Sequence, residues 1–219
     1  MITTTLRCAA LAASLLPGLA LATGPVSLTD QPGVSATASS CFQSADCAAG
    51  RWSAANVFDN LAYVAGIGGN AWNAGTWASA LAPAWVRVDL GRLAQIDSVV
   101  LRFTDNQGGW NGYENLYELR GSADGQAWQL LGSGALVDIT GNADALTDTY
   151  QWASGAQPTL RLLEYRVVGG RHWAALDEMD VTGTAVSAVP EPGAWALMAA
   201  GLGLLGLRAQ RSRLARAGR

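Results

Sequence analysis

The chain has 219 residues, of which 14% are charged and 50% hydrophobic, a balance that excludes a disordered polymer and supports a real core. Lysine is absent, and of fourteen arginines one lies in residues 1–22 and five in residues 193–219, so residues 23–192 carry eight arginines against seventeen acids, a net −9. So acidic a body excludes a nucleic-acid partner, which needs a basic footprint, and favours neutral or cationic ligands.

Residues 1–22 combine Arg7, an apolar run from Cys8 and an ending of small residues, Ala20-Leu21-Ala22. That pattern predicts a signal-peptide helix, export and removal by signal peptidase. Cys41 and Cys47 then remain as an even pair in an oxidising compartment, which predicts a local disulfide. After a linker at 23–32, alternation predicts an edge strand at Val34–Ser40, and Ser53–Asn60 reads as a helical turn capped by Ser53. A Gly- and Asn-rich loop, Ala65–Gly75, holds Trp72 and Asn73.

In Ala84–Gly91, Val86, Val88 and Leu90 share one face of a strand, with Trp85, Arg87 and Asp89 on the other. Gly91 is read as the point where the backbone turns away. Further strands are predicted at Ile96–Phe103, Asn115–Gly121, Ala127–Leu131, Thr147–Trp152, Leu160–Val168 and Leu176–Thr182, with a hairpin turn at Asp124-Gly125. No long helical period interrupts them, so the expected fold is all-β, a β-sandwich or barrel over residues 33–184. A linker at 185–192 leads to an uncharged apolar run, 193–207, and an arginine-rich end, 208–219. The run is read as a short transmembrane helix with its arginines on the cytoplasmic side.

Nine tryptophans against three phenylalanines favour aromatic contact with something polar. A sugar site needs an aromatic face and planar polar groups. Three segments offer both: Trp72-Asn73, Trp110-Asn111-Gly112-Tyr113 and Arg171-His172-Trp173; Trp77, Trp85 and Trp128 are read as core. Each loop aromatic serves equally well as a packing plug. Glu114 with Glu118, or Asp177, Glu178 and Asp180, supply carboxylates for a hydrolase by count, but surface solvation explains them more simply. His172 is the one histidine, and no nucleophile elbow, phosphate loop or zinc spacing is present, so no enzyme is expected.

Two resemblances sharpen this reading. Val189-Pro190-Glu191-Pro192, the apolar run and the arginine-rich end together resemble the PEP-CTERM sorting signal. This implies an exosortase-type membrane peptidase of a Gram-negative, often polysaccharide-producing, bacterium as a partner. It also implies a transient inner-membrane anchor with the domain in the periplasm, then release to the cell surface or extracellular matrix.

The body is similar to discoidin-like domains, the coagulation factor 5/8 type C or galactose-binding-like jelly rolls. Asn56-Val57-Phe58-Asp59, Trp85–Gly91, Ser122–Trp128 and Ala175–Gly183 carry the likeness in the family's order. The departure is a long insertion between Asp59 and Thr76, with Asn60 in place of the usual Gly. The resemblance narrows the expected fold to a jelly-roll β-sandwich and implies a structural calcium ion on Asp59, Thr76 and Glu178. It also implies a lectin-like protein that binds a polysaccharide or glycan. A matrix or adhesion protein without a small-ligand site, and more remotely a polysaccharide hydrolase, are the alternatives.

Overall fold

The structure, a computed structural model, describes residues 24–43, 47, 50–61, 70–77, 79–103, 115–136, 146–170, 173–186, 198–205 and 208. Among these, the strands are β1 (Val26–Ser27), β2 (Ser35–Ala38), β3 (Trp72–Trp77), β4 (Ala84–Phe103), β5 (Asn115–Ser122), β6 (Gln129–Leu136), β7 (Leu146–Gln151), β8 (Thr159–Gly170), β9 (Trp173–Leu176) and β10 (Glu178–Ala185). A 3-10 turn covers Ala54–Phe58. All the strand pairs are antiparallel.

The fold is organised by β4. Its first half pairs with β2 and β8, and its second half pairs with β10 and β7. One layer is therefore β2-β4-β8-β5-β6 and the other β1-β10-β4-β7, a jelly-roll-like sandwich. Alternation decides which side faces in: Val86, Val88 and Leu90 are buried, as are Val99, Leu101 and Phe103 further along the same strand. The layers meet through Phe103, whose ring lies 5.5 Å from Tyr117 and 5.8 Å from Tyr165. Tyr117 also donates to Asp148 on β7, tying β5 to the opposite layer.

Gly91 does not end a strand as the sequence suggests; β4 runs through it. The residue takes φ +72°, donates its N–H to Asp89 Oδ1 at 2.8 Å, and lies at a register shift between Asp89 and Ala94 against β8. The bulge bends the strand without breaking it, so it can change partners between layers. The turn at Asp124-Gly125 does join β5 to β6, with Ser122 and Asp124 oxygens accepting from the four backbone N–H groups of residues 124–127. The segment expected as an N-terminal linker supplies β1, and Leu28 just beyond it is core.

The predicted signal peptide, Met1–Ala22, lies outside the described residues. The C-terminal transmembrane helix requires correction. Helical residues here are 198–205 and 208, and no helix among the described residues is long and apolar enough to cross a membrane. Eight helical residues span ~12 Å against ~30 Å of hydrocarbon. Gly201 and Gly203 within the run weaken its helix propensity. The expected transient inner-membrane anchoring therefore has no spanning helix to support it.

Candidate functional site

One end of the sandwich is capped by the ribbon of β3 and β9, in which Trp72 pairs with Leu176, Asn73 with Ala175 and Trp77 with Trp173. Segment 39–42 runs beside it. Trp72 Nε1 donates to Ser40 O at 3.0 Å, Ser40 Oγ to Ala74 O at 3.0 Å, and Phe42 N to Asn73 O at 2.7 Å. The Cys41–Cys47 disulfide, with Cα atoms 5.3 Å apart, closes the loop that follows. Its far side is held to the 3-10 turn, where Ala54 N donates to Cys47 O. Ser53 caps differently from expectation: its hydroxyl donates to Asn56 Oδ1, while the Asn56 amide reaches the carbonyls of Arg51 and Ala71.

This frame presents three half-buried rings together. Phe42 lies 5.0 Å from Trp173 and 6.4 Å from Trp52. Trp173 is fixed from behind by Asn115 Nδ2, which donates to its carbonyl at 3.2 Å. Gly75, at φ +66°, makes the approach possible, because a Cβ there would stand 2.9 Å from the Phe42 ring. Gly75→Ala is accordingly expected to cost about 1–3 kcal/mol of stability and to displace Phe42 from Trp173. Denaturant midpoints and tryptophan fluorescence check this, and an unchanged emission spectrum refutes it.

Of the eight residues expected to touch a ligand, three are described. Trp72 and Asn73 are not loop residues: both lie on β3, Trp72 at 0% and Asn73 at 4% exposure. Trp72 packs edge-on against Tyr165 at 6.4 Å, and its period on β3, hidden by neighbouring Asn and Gly, places it in the core. Trp173 alone stands at the platform, while Trp110, Asn111, Tyr113, Arg171 and His172 lie outside the described residues. Phe42 and Trp52 were missed, although the place of Phe42 directly after Cys41, inside the loop the disulfide closes, was a signal. Trp85 and Trp128, read as core, are half-buried on the outer sheet face with the Arg87 guanidinium 4.7 and 4.5 Å from their ring centres.

The other expected group is the calcium set. Glu178 is 4% exposed and accepts from Asn60 N at 3.3 Å, next to Asp59. Burial, followed by the charges of Asp180, Asp59 and Asp177, pushes its carboxyl up to about 8. Asp59 is likewise raised by burial, although Leu61 N donates to it at 2.8 Å. Arg102 faces Glu178 in register but pairs with Asp180 at 2.8 Å. Asp59 and Glu178 thus meet across one loop in a locality rich in negative charge. Thr76 does not join them, since it sits at the Trp173 end of the ribbon and Glu178 lies beyond the other end. Among the described residues no group of three or more His, Cys, Asp or Glu side chains is arranged to hold a metal ion.

Fold and platform define a class: a jelly-roll-like β-sandwich with an aromatic cluster at one end. The F5/8 type C domain matches residues 35–179, and the chain belongs to that family. A PEP-CTERM protein-sorting motif follows at residues 188–213, covering Pro190, Glu191 and Pro192, which lie outside the described residues. It is the mark of an exosortase substrate.

Among solved structures, the family 32 CBM of C. perfringens NanJ in complex with galactose is similar at 18% identity and TM-score 0.51, over 72% of this chain and 98% of that one. CpGH89CBM32-5 of Clostridium perfringens, in complex with GalNAc-β-1,3-galactose, is similar at 17% identity and TM-score 0.51, over 71% and 99%. A Ruminococcus gnavus GH29 fucosidase in complex with fucose matches at 17% identity and TM-score 0.53, over 73% of this chain but 27% of that chain. At such identities the likeness is one of fold. The two chains covered almost whole are carbohydrate-binding modules and not catalytic domains. No curated protein matches the chain.

Proposed function

We propose that this is an exported, non-enzymatic carbohydrate-binding protein of the cell surface or extracellular matrix, delivered by an exosortase-type system. The observation that carries the reading is the cluster of Phe42, Trp52 and Trp173 at one end of the sandwich, stapled by a disulfide and backed by β3. Half-buried rings on a rigid frame offer the apolar C–H face of a pyranose a surface that needs no ordering on binding. The sugars in the similar modules, galactose and GalNAc-β-1,3-galactose, are the first to try. A calcium ion on Asp59 and Glu178 is part of the proposal, supported by the negative charge gathered there; bound, it would supply a positive centre holding the loop after Asp59 to β10.

Trp173→Ala is expected to weaken glycan binding about tenfold or more, through loss of one stacking face, with little change in melting temperature. Calorimetric titration of both sugars into wild type and variant checks this. Equal affinities, or no binding by the wild type, would favour a matrix protein with no small-ligand site.

A further inference from the structure

The outer face of the β4-β8-β5 layer carries a cluster with no part in the aromatic platform. In register, Arg87 on β4 stands opposite Glu164 on β8, and Glu164 opposite Arg120 on β5; in the next row Trp85 faces Arg166, and Arg166 faces Glu118. Three arginines converge on one carboxylate. Glu164 Oε2 takes Arg87 at 2.8 Å, while Oε1 lies 3.5 Å from Arg166 and 3.9 Å from Arg120 and accepts no hydrogen bond.

The signs are sorted by depth. Glu164 is 2% exposed, whereas the arginine side chains above it are 26–30% exposed. Water therefore meets guanidinium groups; of the acids on this face, Glu118 lies beside Arg120 and Asp89, two residues along from Arg87, is paired with Arg161 at 2.8 Å, while the body as a whole carries a net −9. Arg87 is held by the Trp85 and Trp128 rings and by its bond to Glu164. Arg120 and Arg166 are not: their contacts to carboxylates are all 3.5 Å or longer, which leaves their planar donors open to an outside acceptor. They sit on neighbouring strands one row apart, as diagonal neighbours ~7–8 Å from each other across the sheet. Exposed Leu116 and Leu130 continue the same face on either side of Arg120 and offer apolar contact.

We propose that this sheet face is a second binding surface, for an acidic polysaccharide whose carboxylates are received by Arg120 and Arg166. Guanidinium pairs match carboxylates in two-pronged geometry. A flat strip flanked by leucine and tryptophan suits an extended chain better than a single sugar, which needs a concave site. This surface stands apart from the aromatic end, so either reading can fail without the other.

The test uses the full chain on immobilised polygalacturonate and on its fully methyl-esterified form, in which every carboxylate is replaced by a neutral methyl ester on the same sugar backbone. Wild type is expected to bind the acid form at least about tenfold more tightly than the ester, and to lose that preference at high salt. Arg120→Gln with Arg166→Gln should remove the preference. Arg102→Gln with Arg161→Gln, which changes net charge equally, should keep most of it, and Trp173→Ala should keep all of it. Four results overturn the proposal: equal binding to acid and ester, equal effects of the two arginine pairs, loss of acid binding in Trp173→Ala, or tighter binding to phosphatidylglycerol vesicles than to polygalacturonate.

Discussion

Glu164→Ala is expected to destabilise the fold by about 3 kcal/mol. Removing one partner of a buried charge pair costs about 3–5 kcal/mol, because the remaining charge loses its compensation where water cannot replace it. Here the carboxylate is 2% exposed and its nearest partner, Arg87, has a 30% exposed side chain. Arg120 and Arg166 are exposed to a similar degree and can regain water, which puts the cost at the low end of that range. Arg87 cannot do so freely. It is held beside the Trp85 and Trp128 rings, and its Nε is already buried without an acceptor. Glu164→Gln keeps the shape and one acceptor for Arg87, so its loss should be smaller, about 1–2 kcal/mol. Urea titrations of the three proteins measure both differences. A loss below about 1 kcal/mol for the alanine variant would show that the arginines, not the pair, hold this face together.

The second large effect is a dependence on pH set by Glu178. Folded, its carboxyl keeps the proton up to about 8; unfolded, it releases the proton near the ordinary 4.5. Between those values the native state binds more protons than the unfolded one, so stability falls as pH rises through this window. Asp59, also raised by burial, acts in the same direction. Asp89 and Asp124 are lowered, Asp89 by Arg161 and Asp124 by backbone N–H groups, so their stabilisation is lost only in acid. The melting temperature should therefore peak near the lower end of the window and decline toward pH 8. Each pH unit crossed inside the window removes about 1.4 kcal/mol at most, so the whole decline amounts to a few kcal/mol. Glu178→Gln should remove most of the decline. Calcium added at pH 8 should restore wild type and leave the variant unmoved. A variant that keeps the wild-type slope would assign the effect elsewhere.

Much of the fold could be read from alternation alone. Val86, Val88 and Leu90 announced a half-buried strand, and Asp124-Gly125 a hairpin turn, because both signals are local. The continuity of β4 was not local. Whether Gly91 turns the chain or only bends it depends on partners far away in sequence: Leu162 and Leu160, opposite Asp89 and Ala94, on one side, and Thr184 and Ala185, opposite Gln95 and Ala94, on the other. Trp72 failed for a related reason. Its burial comes from Tyr165 and Ser40, which no pattern around it reveals. Phe42 and Trp52 meet only because β3, β9 and the 3-10 turn bring their segments together, a pairing that nothing near either residue in the sequence shows. The transmembrane helix was inferred from hydropathy, which measures greasiness but not helical length.

The register of β8 sets where the molecule can be held. At its first residues it lies beside Ala94, which also pairs with Ala185, the last residue of β10; ten residues later Gly170 lies beside Asn115, the support of Trp173. At about 3.3 Å per residue the chain's exit toward the sorting motif and the three rings stand roughly 30 Å apart, at opposite poles. The three rings therefore occupy the pole remote from the end of β10, and a partner that takes hold of one pole leaves the other free.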